Sequence, residues 1–309
     1  MDGRGESFAE AQNGFGDEAK VQTVVLRTLE IGGVSFEGVS AGVSSDLTSV
    51  AHAAGQRVDG VLGFSLFSDV VVAIDFPRRR LVFDPTWPKD LPPIRTELDV
   101  REVGEVPHVS VRLQGLDFDV LIDTGSNRGL LVSPELARRF SWKAEPRQGP
   151  LVNVIGETGR ELVGRLAGEF HFNRISQIEP VAAITEGSPS VGGGFLQHFC
   201  VVFDQAHDKL WLCAPTDDPV PSPAERSLGL SLLADADGWR VAGTIPGSPA
   251  EGAGIASGDV VTEIEGKSAI TWSRDQINGW TNEHDRIALG VVHNRNRRDL
   301  MLAVWPLVP

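Results

Sequence analysis

Residues 120–126 read Val-Leu-Ile-Asp-Thr-Gly-Ser. An apolar run delivers one carboxylate, Asp123, into a tight Thr-Gly turn. Glycine at 125 permits a close backbone approach that a side chain would block. Thr124 and Ser126 add hydroxyls that can fix the turn and the carboxylate by hydrogen bonds. A carboxylate so placed suits hydrolysis of a peptide bond by an activated water, which needs two carboxylates. One is ionised and takes a proton from water; the other is protonated and donates to the carbonyl oxygen. Held close together, the two cannot both ionise cheaply, so they titrate as a pair with separated pKa values. The chain holds one Asp-Thr/Ser-Gly turn only. Asp2-Gly3 and Asp59-Gly60 have neither the hydroxyl residue nor the apolar strand in front of it.

Working outward, strands are expected over 109–113 and 118–122, with the apolar residues Leu130-Leu131-Val132 beyond the turn. A short helix follows, with Ser133 as N-cap, Pro134 at its first position and Glu135 to Phe140 as its body. The chain also resembles itself. Asn13-Gly-Phe-Gly16 and Asn153-Val-Ile-Gly156 each lead through acidic residues into a strand, and Gly16 and Gly156 lie 140 apart (156 − 16). Leu62-Gly63-Phe64, the strand to Asp75 and Arg80-Leu-Val-Phe83 return as Gly192-Gly-Gly-Phe195, the strand to Asp204 and Lys209-Leu-Trp-Leu212. Duplication explains a self-similarity of this length better than chance. The second copy has the Asp123 front half and the first has none. By repeat spacing the matching carboxylate falls about 17 residues before Met1. The first copy is therefore expected to be N-terminally incomplete, and the chain tested alone to be inactive or nearly so.

With its flanks and the later Val191-Gly192-Gly193-Gly194, the Asp-Thr-Gly-Ser turn resembles a lobe of the pepsin/retropepsin-like aspartic peptidases. The resemblance covers roughly residues 8–213. It implies a catalytic role for Asp123, held by Thr124, Gly125 and Ser126. It also implies an apolar-Gly segment threading behind the turn, at 191–194 and, in the first copy, at Leu62-Gly63. A flap hairpin over substrate would fall at Val154, Ile155, Gly156 and Glu157, and in the first copy at Gly14-Phe15-Gly16. The chain has no Tyr, so the tyrosine of pepsin-like flaps is missing.

A Pro/Asp-rich stretch, 215–226, reads as a linker. Beyond it come Ser227-Leu228-Gly229-Leu230, then Gly247-Ser248-Pro249-Ala250, then Gly258-Asp259-Val260-Val261. Ser248 caps a short helix whose first residue is Pro249, and a strand runs over 260–264. This run resembles a PDZ domain of the bacterial kind. The resemblance implies that the loop Leu228, Gly229, Leu230 offers N–H groups to a peptide C-terminal carboxylate. The peptide would add as a strand beside 230–232, with a helix near Ser273–Asn282 as the other wall.

The expected fold class is thus mainly β. Two aspartic-peptidase-like β-barrel lobes are followed by a PDZ β-sandwich with short helices. The expected domains are 1–95 (incomplete first lobe), 96–214 (second lobe), 215–226 (linker) and 227–309 (PDZ). A peptide or protein substrate and a peptide C-terminus are the expected partners. The alternative function is an inactive peptidase fold that serves as a PDZ peptide-binding module.

The net charge, 28 − 42 = −14, argues against nucleic acid as partner, since phosphate binding needs basic patches. Arg78-Arg79-Arg80 reads as a solvated hairpin turn. No metal-ligand pattern or nucleotide fingerprint is present, so no cofactor is expected. No apolar run approaches a membrane span. The first residues form no signal peptide; an envelope or secreted location is expected if a missing N-terminus carries one, and a cytoplasmic location otherwise. Cys200 and Cys213 face each other across an expected hairpin, where a disulfide and free buried thiols are both open.

Overall fold

Strict alternation sets the first well-formed hairpin. From 106 to 113 the buried positions include Val109, Val111 and Leu113, while Ser110 and Arg112 face water, a period of two. Gln114 (φ 52°) and Gly115 (φ 79°) close it as a two-residue turn with both central φ values positive, the twist that antiparallel strands favour.

The computed structural model describes residues 7–12, 18–43, 57–84, 86–103, 106–154 and 157–309. The strands begin with β1 (Ser7–Gln12), β2 (Glu18–Ile31), β3 (Val34–Val43), β4 (Val71–Asp75), β5 (Arg80–Asp84), β6 (Ile94–Asp99) and β7 (Arg101–Val103). Next come β8 (Val106–Leu113), β9 (Leu116–Asp123), β10 (Leu130–Val132), β11 (Arg147–Val154), β12 (Glu157–Arg165), β13 (Glu169–Phe172), β14 (Ile175–Ile178) and β15 (Val181–Ile184). They continue with β16 (Ser190–Gly192), β17 (Cys200–Asp204), β18 (Lys209–Ala214), β19 (Glu225–Ser227), β20 (Leu230–Asp235) and β21 (Gly238–Thr244). The last are β22 (Val260–Ile264), β23 (Lys267–Ser268), β24 (Arg286–His293), β25 (Asn296–Ala303) and β26 (Trp305–Val308). The α-helices are short: α1 (Pro134–Ala137), α2 (Gly193–Leu196), α3 (Pro249–Gly252) and α4 (Arg274–Glu283). The fold is mainly β, as expected. Among the described residues no helix is long and apolar enough to cross a membrane.

The chain divides into two units: Met1–Ser45 with Val61–Lys143 and Leu166–Ser222, and Asp46–Gly60 with Ala144–Arg165 and Pro223–Pro309. In the first unit one sheet runs β15-β10-β16-β9-β8-β13-β14. Its core gathers Val109, Val111, Leu113, Val120, Ile122 and Leu130 with Phe170, Phe172 and Phe195. Ser133 Oγ accepts from the Leu136 N–H at 3.3 Å and so caps α1. The helix stops at Ala137, short of the expected Phe140; Phe140 is turned into the core instead.

A second sheet in this unit, β5-β4-β17-β18-β6, contains the closing hairpins of both copies. Val71↔Asp84 and Asp75↔Arg80 in one match Cys200↔Cys213 and Asp204↔Lys209 in the other, at a constant offset (200 − 71 = 129; 209 − 80 = 129). The turns share a left-handed residue at the same place, Arg79 (φ 52°) and Asp208 (φ 53°). β4 pairs β17 antiparallel with Ala73 opposite Val202 and Val72 opposite Phe203. Since 202 − 73 is also 129, each copy meets its own equivalent, and a local two-fold axis passes through that pair.

The Arg78–Arg80 turn is more than a solvated face. Asp75 is 3% exposed and accepts from the guanidinium groups of Arg78 at 3.0 Å and Arg80 at 3.2 Å. Burial opposes ionisation of this carboxyl, but these hydrogen bonds outweigh it and hold the group below its ordinary range.

The first copy lacks a threading strand at Leu62-Gly63. Residues 57–63 form none, and Val61 is 71% and Leu62 49% exposed. The equivalent β16, by contrast, is held between β9 and β10.

In the second unit, β20-β21-β22-β24-β25 form a sheet, with β23 beside β22. Ser248 caps α3 through the Glu251 N–H at 3.3 Å. Ser273 and Gln276 form a capping box at the start of α4. The β11–β12 hairpin packs on β20 and β21: the Leu151 N–H donates to Ser231 Oγ at 2.6 Å and Arg160 to the Thr244 carbonyl at 3.1 Å. Gly243 makes room, since a Cβ there would lie 2.8 Å from Leu151 Cδ1.

Candidate functional site

Asp123 ends β9, anchored by Val120 and Ile122, which are 0% and 4% exposed. Its Oδ1 accepts from the Gly125 N–H at 3.0 Å, and its carbonyl from the Ser126 N–H at 3.2 Å. The chain thus turns directly under the carboxylate. Ser126 Oγ accepts from the Arg128 N–H at 3.2 Å, so this hydroxyl fixes the turn and not the carboxylate. Thr124 is exposed, and among the described residues its hydroxyl has no hydrogen-bond partner.

The glycine segment does thread behind the turn. β16 runs parallel to β9, with Ser190 beside Leu121, Val191 beside Ile122 and Gly192 beside Asp123. The Gly193 N–H donates to the Ser126 carbonyl at 2.7 Å, Gly192 to Gly129 at 3.2 Å and Gly194 to Arg128 at 3.1 Å. A Cβ at Gly192 would lie 2.7 Å from the Ser126 and Arg128 carbonyl oxygens, and one at Gly194 would lie 2.6 Å from the Gly129 nitrogen. Both contacts are with backbone, so a side chain here forces the neighbouring segment to shift. Three successive glycines are therefore what lets two backbone segments close around the base of the Asp123 turn.

Of the expected flap, Ile155 and Gly156 lie outside the described residues, as do Gly14, Phe15 and Gly16 of the first copy. Val154 and Glu157 are partners across the β11–β12 hairpin.

The second unit holds a groove between β20 and α4. Leu228, Leu230 and Leu232 line one wall; Ile277, Asn278 and Thr281 line the other. Gly229 sits in the loop at φ 77°, and a Cβ there would meet Ser248 Cβ at 2.2 Å, so only glycine fits. Its N–H donates to Ser227 Oγ at 3.0 Å, and its carbonyl accepts from the Ile245 N–H at 2.8 Å. At the far end Arg274 donates to the Leu232 carbonyl at 2.7 Å. Its guanidinium lies over the Trp239 ring, 5.2 Å from the centroid, and burial lowers its pKa. Sequence reasoning placed the loop, strand and helix of this groove but missed Arg274 and Trp239. The signal for Arg274 was its place directly after the Ser273 cap.

Residues 220–291 match the family model of the PDZ domain. The C-terminal module is a PDZ domain. The groove between β20 and α4 and the loop 228–230 lie within it. No curated protein matches the chain. Among solved structures, the chain is similar to a retropepsin-like aspartic protease from Rickettsia conorii, with 12% identity, 39% of this chain and 92% of that one covered, and a TM-score of 0.28. It is also similar to the serine endoprotease from Yersinia pestis, with 11% identity, 80% and 98% covered, and a TM-score of 0.25.

Proposed function

We propose that the chain is an aspartic-type peptide hydrolase fold that carries a peptide-binding PDZ domain. In this reading Asp123 is one carboxylate of a water-activating pair. The observation that carries it is the enclosure of the Asp123 turn by Gly192–Gly194, with the Gly125 N–H on the carboxylate. Such pre-organisation lets a carboxylate take a proton from water without moving. The local two-fold through Ala73 and Val202 supports the second half of the reading. An equivalent turn belonging to the first copy would supply the protonated partner. The hairpin tip at 154–157 is proposed as the flap.

The PDZ groove is proposed to take the free C-terminus of a peptide, which adds as a strand beside β20. A second reading, a peptidase fold that only binds, is favoured by one observation: the sequence contains a single Asp-Thr-Gly. The test is digestion of an unstructured protein, at acid and at neutral pH, by residues 1–309 preceded by their genomic upstream sequence. Cleavage that Asp123→Ala abolishes supports the hydrolase. Cleavage that Asp123→Ala leaves unchanged removes Asp123 from the mechanism. No cleavage, with peptide C-termini still bound, supports the second reading.

A further inference from the structure

The glycine loop of the PDZ groove has its middle N–H already in use. The Gly229 N–H donates to Ser227 Oγ at 3.0 Å. Gly229 is also pinned on its carbonyl side, which accepts from the Ile245 N–H at 2.8 Å and from Ser248 Oγ at 3.4 Å. Its φ of 77° and its close approach to Ser248 hold it in that turn. Freeing this N–H for a ligand means losing the Ser227 bond.

Ser227 ends β19, where it pairs with Trp305 of β26. It is half-buried and lines the groove beside Leu228 and Leu230. A serine hydroxyl has one proton to donate and two lone pairs that accept. One lone pair takes the Gly229 N–H, and among the described residues no protein acceptor takes the proton. An oxygen that accepts from an N–H becomes a better donor in its turn, because successive hydrogen bonds polarise one another. Donation to an ionised acceptor is about twice as strong as donation to a neutral one. The neighbouring cation is committed elsewhere: Arg226 donates to the carbonyls of Asn282 at 3.1 Å and His284 at 3.0 Å and pairs with Asp285 at 2.7 Å. The Ser227 hydroxyl still has its proton to give.

On the reading that this groove takes a free peptide C-terminus, we propose that Ser227 is the residue that tells a terminal carboxylate from a terminal amide. Its hydroxyl donates to one carboxylate oxygen while it accepts from the Gly229 N–H. The Gly229 N–H then acts on the ligand through this relay and not by direct contact. A terminal amide forfeits the charge-assisted bond and keeps the rest of the added strand.

The probes are synthetic ten-residue peptides with apolar last residues, each made with a free C-terminal carboxylate and with a C-terminal amide. Their binding to the intact chain is read by fluorescence anisotropy. The wild type is expected to prefer the carboxylate form by about tenfold or more. Ser227→Ala should lose most of that preference by weakening the carboxylate form alone, and Ser227→Thr, which keeps the hydroxyl, should retain it. A loop that merely lost support would weaken both forms equally, and that result overturns the proposal. So does a preference that Ser227→Ala leaves unchanged, or tighter binding of the carboxylate form by Ser227→Ala, which would mean that the hydroxyl only blocks the Gly229 N–H. Failure of every peptide to bind the wild type would instead overturn the groove reading itself, and the role of Ser227 with it.

Discussion

Gly192 lies beside Asp123 in the parallel register of β16 and β9, and the Cβ it lacks would fall 2.7 Å from the carbonyl oxygens of Ser126 and Arg128. The two residues share one backbone knot, so the position of the carboxylate depends on the absence of a side chain opposite it. Gly192→Ala must push the 126–128 segment outward. Overpacking of this kind costs about 1–3 kcal/mol, read as a lower urea midpoint with an unchanged slope. An unshifted midpoint would show that the turn gives way freely.

Asp75 supplies a pH-dependent share of stability. Its folded pKa lies below its ordinary 3.8. Its contribution is therefore fully present above the unfolded value and is lost as pH falls through the folded one. Asp75→Asn should destabilise the protein by about 1.5–3 kcal/mol near neutral pH, the worth of hydrogen bonds to charged partners, and by much less at about pH 2. Urea unfolding of both forms across that window checks the sign. A difference that grows as pH falls would contradict the assignment.

Cys200 and Cys213 stand opposite one another across β17 and β18 but are free and buried. Burial, joined at Cys200 by the nearby Asp75 charge, pushes the Cys200 thiol up to about 12; burial pushes the Cys213 thiol up to about 11. Neither forms thiolate at ordinary pH, and the thiolate is the reactive form. Iodoacetamide at about pH 8 should label neither residue in the folded chain and both in urea. Rapid labelling of the native protein would show that this sheet opens.

Arg274 reaches across the PDZ groove to β20. Its bond to the Leu232 carbonyl occupies an acceptor that an added peptide strand would use. Arg274→Ala should tighten binding of C-terminal peptides by about fivefold, the worth of one hydrogen bond of about 1 kcal/mol. Calorimetry with a peptide library decides it; weaker binding by the variant would make Arg274 a ligand contact instead.

Much of this was legible in the sequence because local rules governed it. The strands at 109–113 and 118–122 and the Ser133 and Ser248 caps each follow from a few neighbouring residues, while the glycine loop at 229 rests on the resemblance to PDZ domains. The repeat gave the two hairpins, and the structure added their antiparallel pairing through Ala73 and Val202. Contacts between distant residues were not legible. The grip of Arg78 and Arg80 on Asp75 depends on how deeply that carboxylate is buried, which a basic run does not reveal. The packing of Leu151 against Gly243 and Ser231 joins residues more than 70 positions apart. Leu62-Gly63 shows a further limit: an apolar-Gly segment does not by itself become a strand, and 57–63 form none.

The most direct measurement is the turnover of an unstructured protein substrate by the chain preceded by its genomic upstream sequence, compared with the same polypeptide carrying Asp123→Asn. The substitution keeps size and the Gly125 hydrogen bond but removes the charge. If Asp123 activates water, kcat falls by about a thousandfold or more while KM changes little. A kcat within about threefold of wild type would contradict the role assigned to Asp123.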